Sequence, residues 1–223
     1  MIVITGASDG LGLEIAKVFK ADGKKVVNVS RRQSLVADIN VLCDLSKPEE
    51  IQKAVKEILA IDEPLEVLIN NAGIWTEEPM DKISDEAAET AWAVNAKAPM
   101  LLTSGLMDRI KKDQADVVNV VSSAGLEGSS HHAAYVASKW AERGFTKSLQ
   151  QELKGTLSRV IGFYPGGIST GLFVKDTDND ITQDGSYWMD PVALATCIKQ
   201  LLDLPKGIEV TEIRLERKKK FKA

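Results

Sequence analysis

Short runs rich in β-branched residues alternate with longer helical patterns along the whole chain, and this alternation constrains the fold most strongly. The candidate strands are MIVIT, KKVVNVS, DINVLC, LEVLIN, DVVNVVS, SRVIGFY and IEVTEIRL. Amphipathic stretches such as LGLEIAKVFKADG and PEEIQKAVKEIL separate them. Strands that alternate with helices build α/β folds with a parallel sheet. We therefore predict a doubly wound, Rossmann-type fold with a seven-stranded parallel sheet and helices on both faces.

The length and local signals set the expected boundaries. A chain of 223 residues is long enough for one good core, so we expect a single dinucleotide-binding and catalytic domain over 1–223. The polar stretch from Lys175 to Ser186 indicates a surface loop, within an expected substrate loop at about 171–190. In DLSKPEEI we predict a helix start with Ser46 as N-cap, Pro48 in the first turn and Glu49 at N3. Gly23 follows the first helix as a C-cap glycine would.

Composition argues against several classes of protein. The net charge of −4 offers no basic field for nucleic acid. The basic run at about 216–223 favours a solvated C-terminal tail, with an interaction tail as the alternative. Cys43 and Cys197 form no metal-binding pattern and suit a reducing cytosol, so we expect a cytoplasmic protein without a metal. The first residues lack a basic n-region, and no apolar run reaches the roughly 18 residues of a membrane span.

The first candidate strand runs into the glycine-rich sequence TGASDGLG. Gly6, Gly10 and Gly12 stand where the chain would leave a strand and open a helix. A tight turn needs residues without a Cβ, and a pyrophosphate needs the same close approach to backbone N–H groups at a helix N-terminus. The spacing differs from the common G-x-G-x-x-G fingerprint, so a glycine-rich turn without a ligand is the alternative.

Further motifs follow in a fixed order. They are NNAG at Asn70–Gly73, Asn95 in AVNAKAP, an S-x-x-G that begins at Ser122, a Y-x-x-x-K made by Tyr135 and Lys139, and PGGIST. Together with TGASDGLG they resemble the classical short-chain dehydrogenase/reductase family, from Met1 to about Leu215. The resemblance implies that Ser122, Tyr135, Lys139 and Asn95 are catalytic. It also implies a cofactor site formed by Gly6, Ser8, Asp9, Gly10, Leu11, Gly12, Ser30, Arg31, Arg32, Asp44, Leu45, Asn71, Ala72, Gly73, Tyr135, Lys139, Pro165, Gly166, Ile168 and Thr170.

The four-residue spacing of Tyr135 and Lys139 has a chemical interpretation. Residues four apart share a helix face. Bringing a phenol from a pKa of about 10 to about 7 requires roughly 4 kcal/mol, which one ammonium about 4 Å away can supply at an effective dielectric of about 20. We expect Tyr135 to give the proton to a substrate oxygen that Ser122 hydrogen-bonds. By resemblance, Lys139 also holds the nicotinamide ribose, and Asn95 anchors a water that links Lys139 to solvent.

The end of the second strand bears on the choice of cofactor. Enzymes that prefer NAD place an acidic residue there, whereas this chain has Ser30 followed by Arg31 and Arg32. Guanidinium groups suit a 2′-phosphate, so we predict NADP(H) rather than NAD(H). Asp9 argues mildly against this preference, and solvated arginines are the alternative.

The substrate is expected to be a small carbonyl compound or secondary alcohol. His131, His132, Trp75 and Trp188 are candidates for its pocket, while Trp140, on a different helical face from Lys139, is expected to have a packing role. The resemblance implies a homodimer built on helices at about 97–112 and 134–153, or a tetramer with a second contact near the last strand. A regulatory NADP(H)-binding module without turnover, or an epimerase or dehydratase, is the alternative function.

Overall fold

The computed structural model describes residues 1–170 and 188–218. Seven strands form one parallel sheet in the order β3-β2-β1-β4-β5-β6-β7, which confirms the predicted doubly wound fold. The strands are β1 (Ile2–Thr5), β2 (Val26–Ser30), β3 (Ile39–Leu42), β4 (Val67–Asn70), β5 (Asp116–Val120), β6 (Val160–Pro165) and β7 (Glu212–Leu215).

The helices cover both faces of this sheet. They are α1 (Gly10–Ala21), α2 (Pro48–Leu59), α3 (Asp85–Trp92), α4 (Ala98–Gly105), α5 (Met107–Asp113), α6 (Ala133–Glu152) and α7 (Pro191–Leu202). Two 3₁₀ turns lie at Met80–Lys82 and Ser123–Gly125, and a π-helical segment at Ala93–Lys97 joins α3 to α4.

Two apolar layers hold the helices on the sheet. Ile2 and Ile4 of β1 face the layer of α1 and α7, whereas Val3 faces the layer that contains residues of α2, α4 and α6. This split follows from the alternation of side chains along a strand. All four residues of β1 are buried because helices cover both faces of the central strands.

The predicted capping of α2 is wrong. Pro48 is the first helical residue, but the cap is Lys47, whose side chain makes no capping hydrogen bond. The Ser46 hydroxyl instead donates to the Asp44 carboxylate at 2.8 Å, as does the Ser46 N–H at 3.0 Å. The competing acceptor thus turns Ser46 away from the helix. At the end of α1, Gly23 lies one residue beyond the cap residue Asp22 with φ of +73°, as the sequence predicts.

Some predicted features fall outside the described residues. Most of the expected substrate loop at 171–190, the predicted loop from Lys175 to Ser186 and the tail beyond 218 belong to this group. Within 1–170 and 188–218, no helix has the length and apolarity needed to cross a membrane. The same residues contain no group of three or more His, Cys, Asp or Glu side chains placed to bind a metal ion.

Candidate active site

The glycine turn after β1 lies at the carboxyl edge of the sheet and opens α1. Gly6 and Gly10 have φ values of +74° and +55°, which L side chains rarely adopt. A Cβ on Gly12 would lie 2.3 Å from the Gly6 carbonyl oxygen and 2.5 Å from Asn71 Nδ2. Glycine at position 12 therefore lets α1 begin in direct contact with Gly6, and the turn and the N-terminus of this 12-residue helix form a cradle of backbone groups. This cradle fits the pyrophosphate of a dinucleotide.

Charged groups stand beside this cradle. Asp9 caps α1 by accepting from Gly10 N at 2.8 Å, and its carboxylate also binds Arg32 Nη2 at 3.0 Å. Ser30 Oγ donates to the Arg32 carbonyl at 2.6 Å and lies 3.3 Å from Ser8 Oγ. Ser30 thus fixes the turn that presents the exposed arginines Arg31 and Arg32, and the carboxylate of Asp9 lies within reach of the second of them.

The next part of the edge follows β3. The Asp44 carboxylate accepts two hydrogen bonds from Ser46, which hold its pKa below the usual range, and Arg31 acts in the same direction. Leu45 and Ala72 line a small cavity that Thr5 and Val94 also reach. Asp44 and Leu45, which follow β3, therefore lie at the same end of the parallel sheet as the glycine turn after β1.

The motif after β4 links this end to the centre of the sheet. Thr5 Oγ1 accepts from Asn71 N and Ala72 N, both at 2.9 Å, and Asn71 Nδ2 donates to the Thr5 carbonyl. A Cβ on Gly73 would lie 3.3 Å from Asn95 Oδ1 and 3.6 Å from Lys139 Nζ. Glycine at this position lets three predicted site segments meet.

Asn95 lies in the π-helical segment and is 1% exposed. Its Oδ1 accepts from Ile74 N at 2.8 Å, while its Nδ2 donates to the Ile74 carbonyl and to Ser138 Oγ. The side chain therefore clamps the segment after β4 to α6. These bonds use both N–H donors of the amide, so a water held by Asn95 would bind to Oδ1 or to the backbone carbonyl. Pro99, four residues later, has no N–H to give that carbonyl in an α-helical pattern.

Ser122 follows β5 in a strained conformation. Its φ is +138°, and its Oγ accepts from Ala124 N at 3.1 Å. Residues held in such conformations persist where surrounding structure fixes them, often at functional sites. A Cβ on Gly125 would lie 2.7 Å from Val121 Cγ1 and 3.0 Å from the Lys139 carbonyl, so the glycine lets this turn approach α6. Ser123 is the first residue of the 3₁₀ turn.

Tyr135 and Lys139 lie on the buried face of α6, at 6% and 3% exposure. Lys139 Nζ donates to the Val120 carbonyl at 3.2 Å and to Glu142 Oε2 at 2.8 Å. Burial lowers the pKa of the Lys139 ammonium, but the Glu142 carboxylate and the Tyr135 phenol more than offset it, so the pKa lies above its usual value. The phenol and the ammonium are therefore electrostatically coupled, as their spacing predicts.

Aromatic rings cover the other side of Tyr135. The Trp75 ring centroid lies 4.7 Å from that of Tyr135 and 4.3 Å from that of His132. Trp75 and His132 thus stand beside the phenol, whereas His131 carries a φ of +66° and gives its carbonyl to Glu78 N. Trp140 is 46% exposed, and its ring packs against the guanidinium of Arg143.

The segment after β6 closes the edge. Gly166 N donates to Leu215 O, and Ile168 forms a β-bridge with Met189. The Thr170 side chain lies beside Gly10: a Cβ added to Gly10 would be 3.4 Å from Thr170 Cβ. The predicted segment Pro165–Thr170 therefore borders the glycine turn, and Trp188, whose carbonyl accepts from Arg217, follows the undescribed residues.

Glu142 is a residue of this site that the sequence motifs did not identify. It is 2% exposed and forms an ion pair with Lys139, one helical turn before it. The buried residues of α6 are Tyr135, Ser138, Lys139, Glu142, Thr146 and Leu149. Their three- and four-residue spacing is the signal that could have located Glu142 on the inner face.

Comparison with known proteins identifies related chains. A family model described as short chain dehydrogenase matches residues 1–180. Dehydrogenase/reductase SDR family member 7B of Mus musculus is 32% identical over 205 residues, which cover 84% of this chain but 62% of the relative. The chain thus spans less than two thirds of that relative. An uncharacterized oxidoreductase of Staphylococcus saprophyticus is 27% identical over 225 residues, covering 95% of this chain and 94% of the relative.

Solved structures share the architecture. An alcohol dehydrogenase of the archaeon Thermococcus sibiricus, complexed with 5-hydroxy-NADP, has a TM-score of 0.87 at 22% identity, over 99% of this chain and 98% of that one. Its likeness shows the fold. A 4-hydroxyisoleucine dehydrogenase complexed with NADH has a TM-score of 0.85 at 27% identity, over 96% of both chains. The structural neighbours therefore include one complex with an NADP derivative and one complex with NADH.

Proposed function

Because the chain belongs to the short-chain dehydrogenase family, we propose that it is an NADP(H)-dependent oxidoreductase that interconverts a small carbonyl compound and a secondary alcohol. The observation that carries this proposal is the buried pair of Tyr135 and Lys139 on one face of α6. Gly125 brings the turn that begins at Ser122 against the same helix, and Asn95 ties the π segment to it.

Each of the proposed catalytic residues has a distinct role in this reaction. Bound NADP(H) supplies or accepts the hydride. Tyr135 gives the proton to the substrate oxygen, or takes it in the reverse direction, and Ser122 donates a hydrogen bond to that oxygen. Lys139 stabilises the ionised phenol and holds the ribose. Asn95 fixes the geometry through its side chain and holds a water through its backbone carbonyl.

The cofactor preference rests on the end of β2. Ser30 is not acidic, and its hydroxyl supports the turn that exposes Arg31 and Arg32. A guanidinium bonded to a 2′-phosphate contributes roughly 1.5–3 kcal/mol, which corresponds to about a 10- to 150-fold preference for NADP(H). The free thiols of Cys43 and Cys197 support the accompanying proposal of a cytoplasmic location.

A regulatory cofactor-binding module is the second candidate. The ordered surroundings of the phenol weigh against it, since a pure binder has no need of the Tyr135 phenol or of the strained Ser122. An epimerase or dehydratase has no specific support in the site.

The test is oxidation of NADPH, followed by absorbance, with a panel of aldehydes, diketones and quinones. We expect turnover with at least one class. Tyr135→Phe should lower turnover about 10²- to 10⁴-fold and leave NADPH affinity unchanged. The phenol hydroxyl makes no hydrogen bond to the described residues, so the variant should fold as well as the wild type. Cofactor binding without turnover on any substrate would favour the regulatory module.

Near-full activity of Tyr135→Phe would contradict the assigned role only where hydride transfer limits the rate. Product release can hide a large loss in the chemical step. A kinetic isotope effect with deuterated cofactor identifies a substrate for which the comparison is valid.

A further inference from the structure

Glu142 is a buried acid that the reaction described above does not use. Its carboxylate lies 2.8 Å from Lys139 Nζ, and the two side chains are 2% and 4% exposed. An ionised carboxylate removed from water is strongly disfavoured unless it is paired and hydrogen-bonded. Glu142 therefore depends on the same ammonium that serves Tyr135.

Other charges near this part of α6 are committed elsewhere. Among the described residues, Lys139 is the titratable group that acts on the Glu142 carboxyl. On the strands packed against α6, Asp116 of β5 pairs with Arg159 and Lys206, and Tyr164 of β6 donates to Glu212. Glu127, after the 3₁₀ turn, pairs with Arg214, and Lys97 of the π segment is exposed. On α6 itself, Arg143 faces Trp140, Tyr164 and Glu212.

The ammonium has few donors to share. Lysine carries three N–H groups. In the described structure one points to Glu142 and one to the Val120 carbonyl. One N–H thus remains for the phenol and the cofactor ribose, unless Glu142 gives up its hydrogen bond.

We propose that Glu142 is a positioning residue that controls how much of the Lys139 charge acts on Tyr135 and on the bound cofactor. The inference rests on the proposed function of the site. When Glu142 is ionised, the pair presents a dipole and holds the ammonium. When Glu142 is protonated, the full positive charge and a further N–H become available to the phenol and the ribose.

The ionisation range of Glu142 makes this control accessible near neutral pH. Burial raises the pKa of the carboxyl from 4.5 to about 7, against the opposing effect of Lys139. Below that value Glu142 is protonated and Lys139 is released, and above it the ammonium is withheld. Cofactor affinity should therefore fall as pH rises through about 7.

Binding of NADH tests this without catalysis. NADH lacks the 2′-phosphate, whose own ionisation near pH 6 would obscure the result. From about pH 6 to about pH 8.5, the wild-type Kd should rise about tenfold, whereas Glu142→Gln should change less than about twofold. Glu152→Gln, which removes an exposed carboxylate from the same helix, is the matched control and should follow the wild type.

A kinetic measurement tests the effect on the phenol. Alcohol oxidation should rise with pH as the phenol ionises. Removing the negative charge beside Lys139 should shift this rise in Glu142→Gln by about one pH unit toward acid. Glu142→Asp keeps a carboxylate and should move the profile back toward that of the wild type. A residue with a merely structural role would change stability but leave this profile in place.

The outcomes separate the two proposals. If no nicotinamide cofactor binds, the proposed function fails. If NADH binds but wild type and Glu142→Gln have the same pH dependence, the role of Glu142 is overturned and the enzyme proposal stands. If Glu142→Gln does not fold, Glu142→Met replaces it, because an apolar side chain of similar size also removes the carboxyl and should abolish the pH dependence. An unchanged dependence in that variant overturns the inference.

Discussion

Lys139 is the residue at which stability and chemistry are most closely joined. Lys139→Met should lower turnover and cofactor affinity together, because one ammonium acts on the phenol and the ribose. It should also leave the Glu142 carboxylate buried without its cation. Breaking a buried pair by removing one partner costs about 3–5 kcal/mol.

That loss should depend on pH. The pKa of Glu142 is higher in the folded state than its ordinary value of 4.5, so its contribution to stability is fully present below 4.5 and is lost as pH rises through about 7. Without Lys139 the folded pKa rises further. Urea unfolding of Lys139→Met should therefore show a small deficit at about pH 5.5 and a deficit of several kcal/mol at about pH 8.5.

The double variant Lys139→Met/Glu142→Gln provides the control. It contains neither charge, so its deficit relative to the wild type should vary much less with pH. A deficit of Lys139→Met that is equal at both pH values would show that Glu142 is not the group responsible.

At this scale the sequence predicted which residues meet but not how they are held. Asn95 and Lys139 both approach Gly73, and the turn that Ser122 opens packs against α6, since motifs at strand ends converge at one edge; the catalytic roles of these residues stay predictions. Glu142 was missed because a charged residue in a helix is usually solvated. Only the packing of α6 on the sheet shows that its inner face contains an ion pair.

At the scale of elements, the strands and helices could be predicted from the periodicity of apolar residues in the sequence, whereas the junctions between them could not. Strand positions follow from runs of β-branched residues, and the capping of α2 failed because Asp44 competes for Ser46. The π segment that contains Asn95 was not predicted either, because its extra residue depends on how α3 and the segment itself pack against α6.

We propose that the junctions around the glycine turn determine the choice between NADP(H) and NAD(H). The Arg32 guanidinium forms an ion pair with the Asp9 carboxylate, which therefore competes with any phosphate bound at the end of β2. Arg31→Ala and Arg32→Ala should weaken NADPH binding about tenfold or more and change NADH binding little. Asp9→Asn keeps an oxygen that can cap α1 but removes the competing negative charge. It should tighten NADPH binding by about three- to tenfold.

Fluorescence titration of both cofactors measures these effects, with NADH as the internal control for each variant. Equal affinity of the wild type for NADPH and NADH would contradict the proposed preference. An unchanged NADPH affinity in Asp9→Asn would show that the Asp9–Arg32 pair does not oppose the 2′-phosphate.

At the scale of the whole molecule, the sheet gathers the candidate site at one edge and leaves an outer face of α6 uncovered. Trp140 is 46% exposed on this face, and a Cβ on the nearby Gly144 would meet nothing within 4 Å. Aromatic residues are enriched at the surfaces through which protein chains pack against each other. By resemblance to the family we propose that the protein is at least a homodimer through α4, α5 and α6.

Light scattering at micromolar concentration should therefore give at least twice the chain mass of 24.3 kDa. Trp140→Glu should shift the population toward the monomer, raising the dimer dissociation constant at least about tenfold, because a charge replaces a ring that the interface buries. Leu59→Glu is the matched control: Leu59 is 42% exposed at the end of α2, outside the proposed contact, and the mass should not change. A monomeric wild type would refute the assembly. A dimer unaffected by Trp140→Glu would instead place the contact elsewhere, with the second family contact near β7 as the next surface to test.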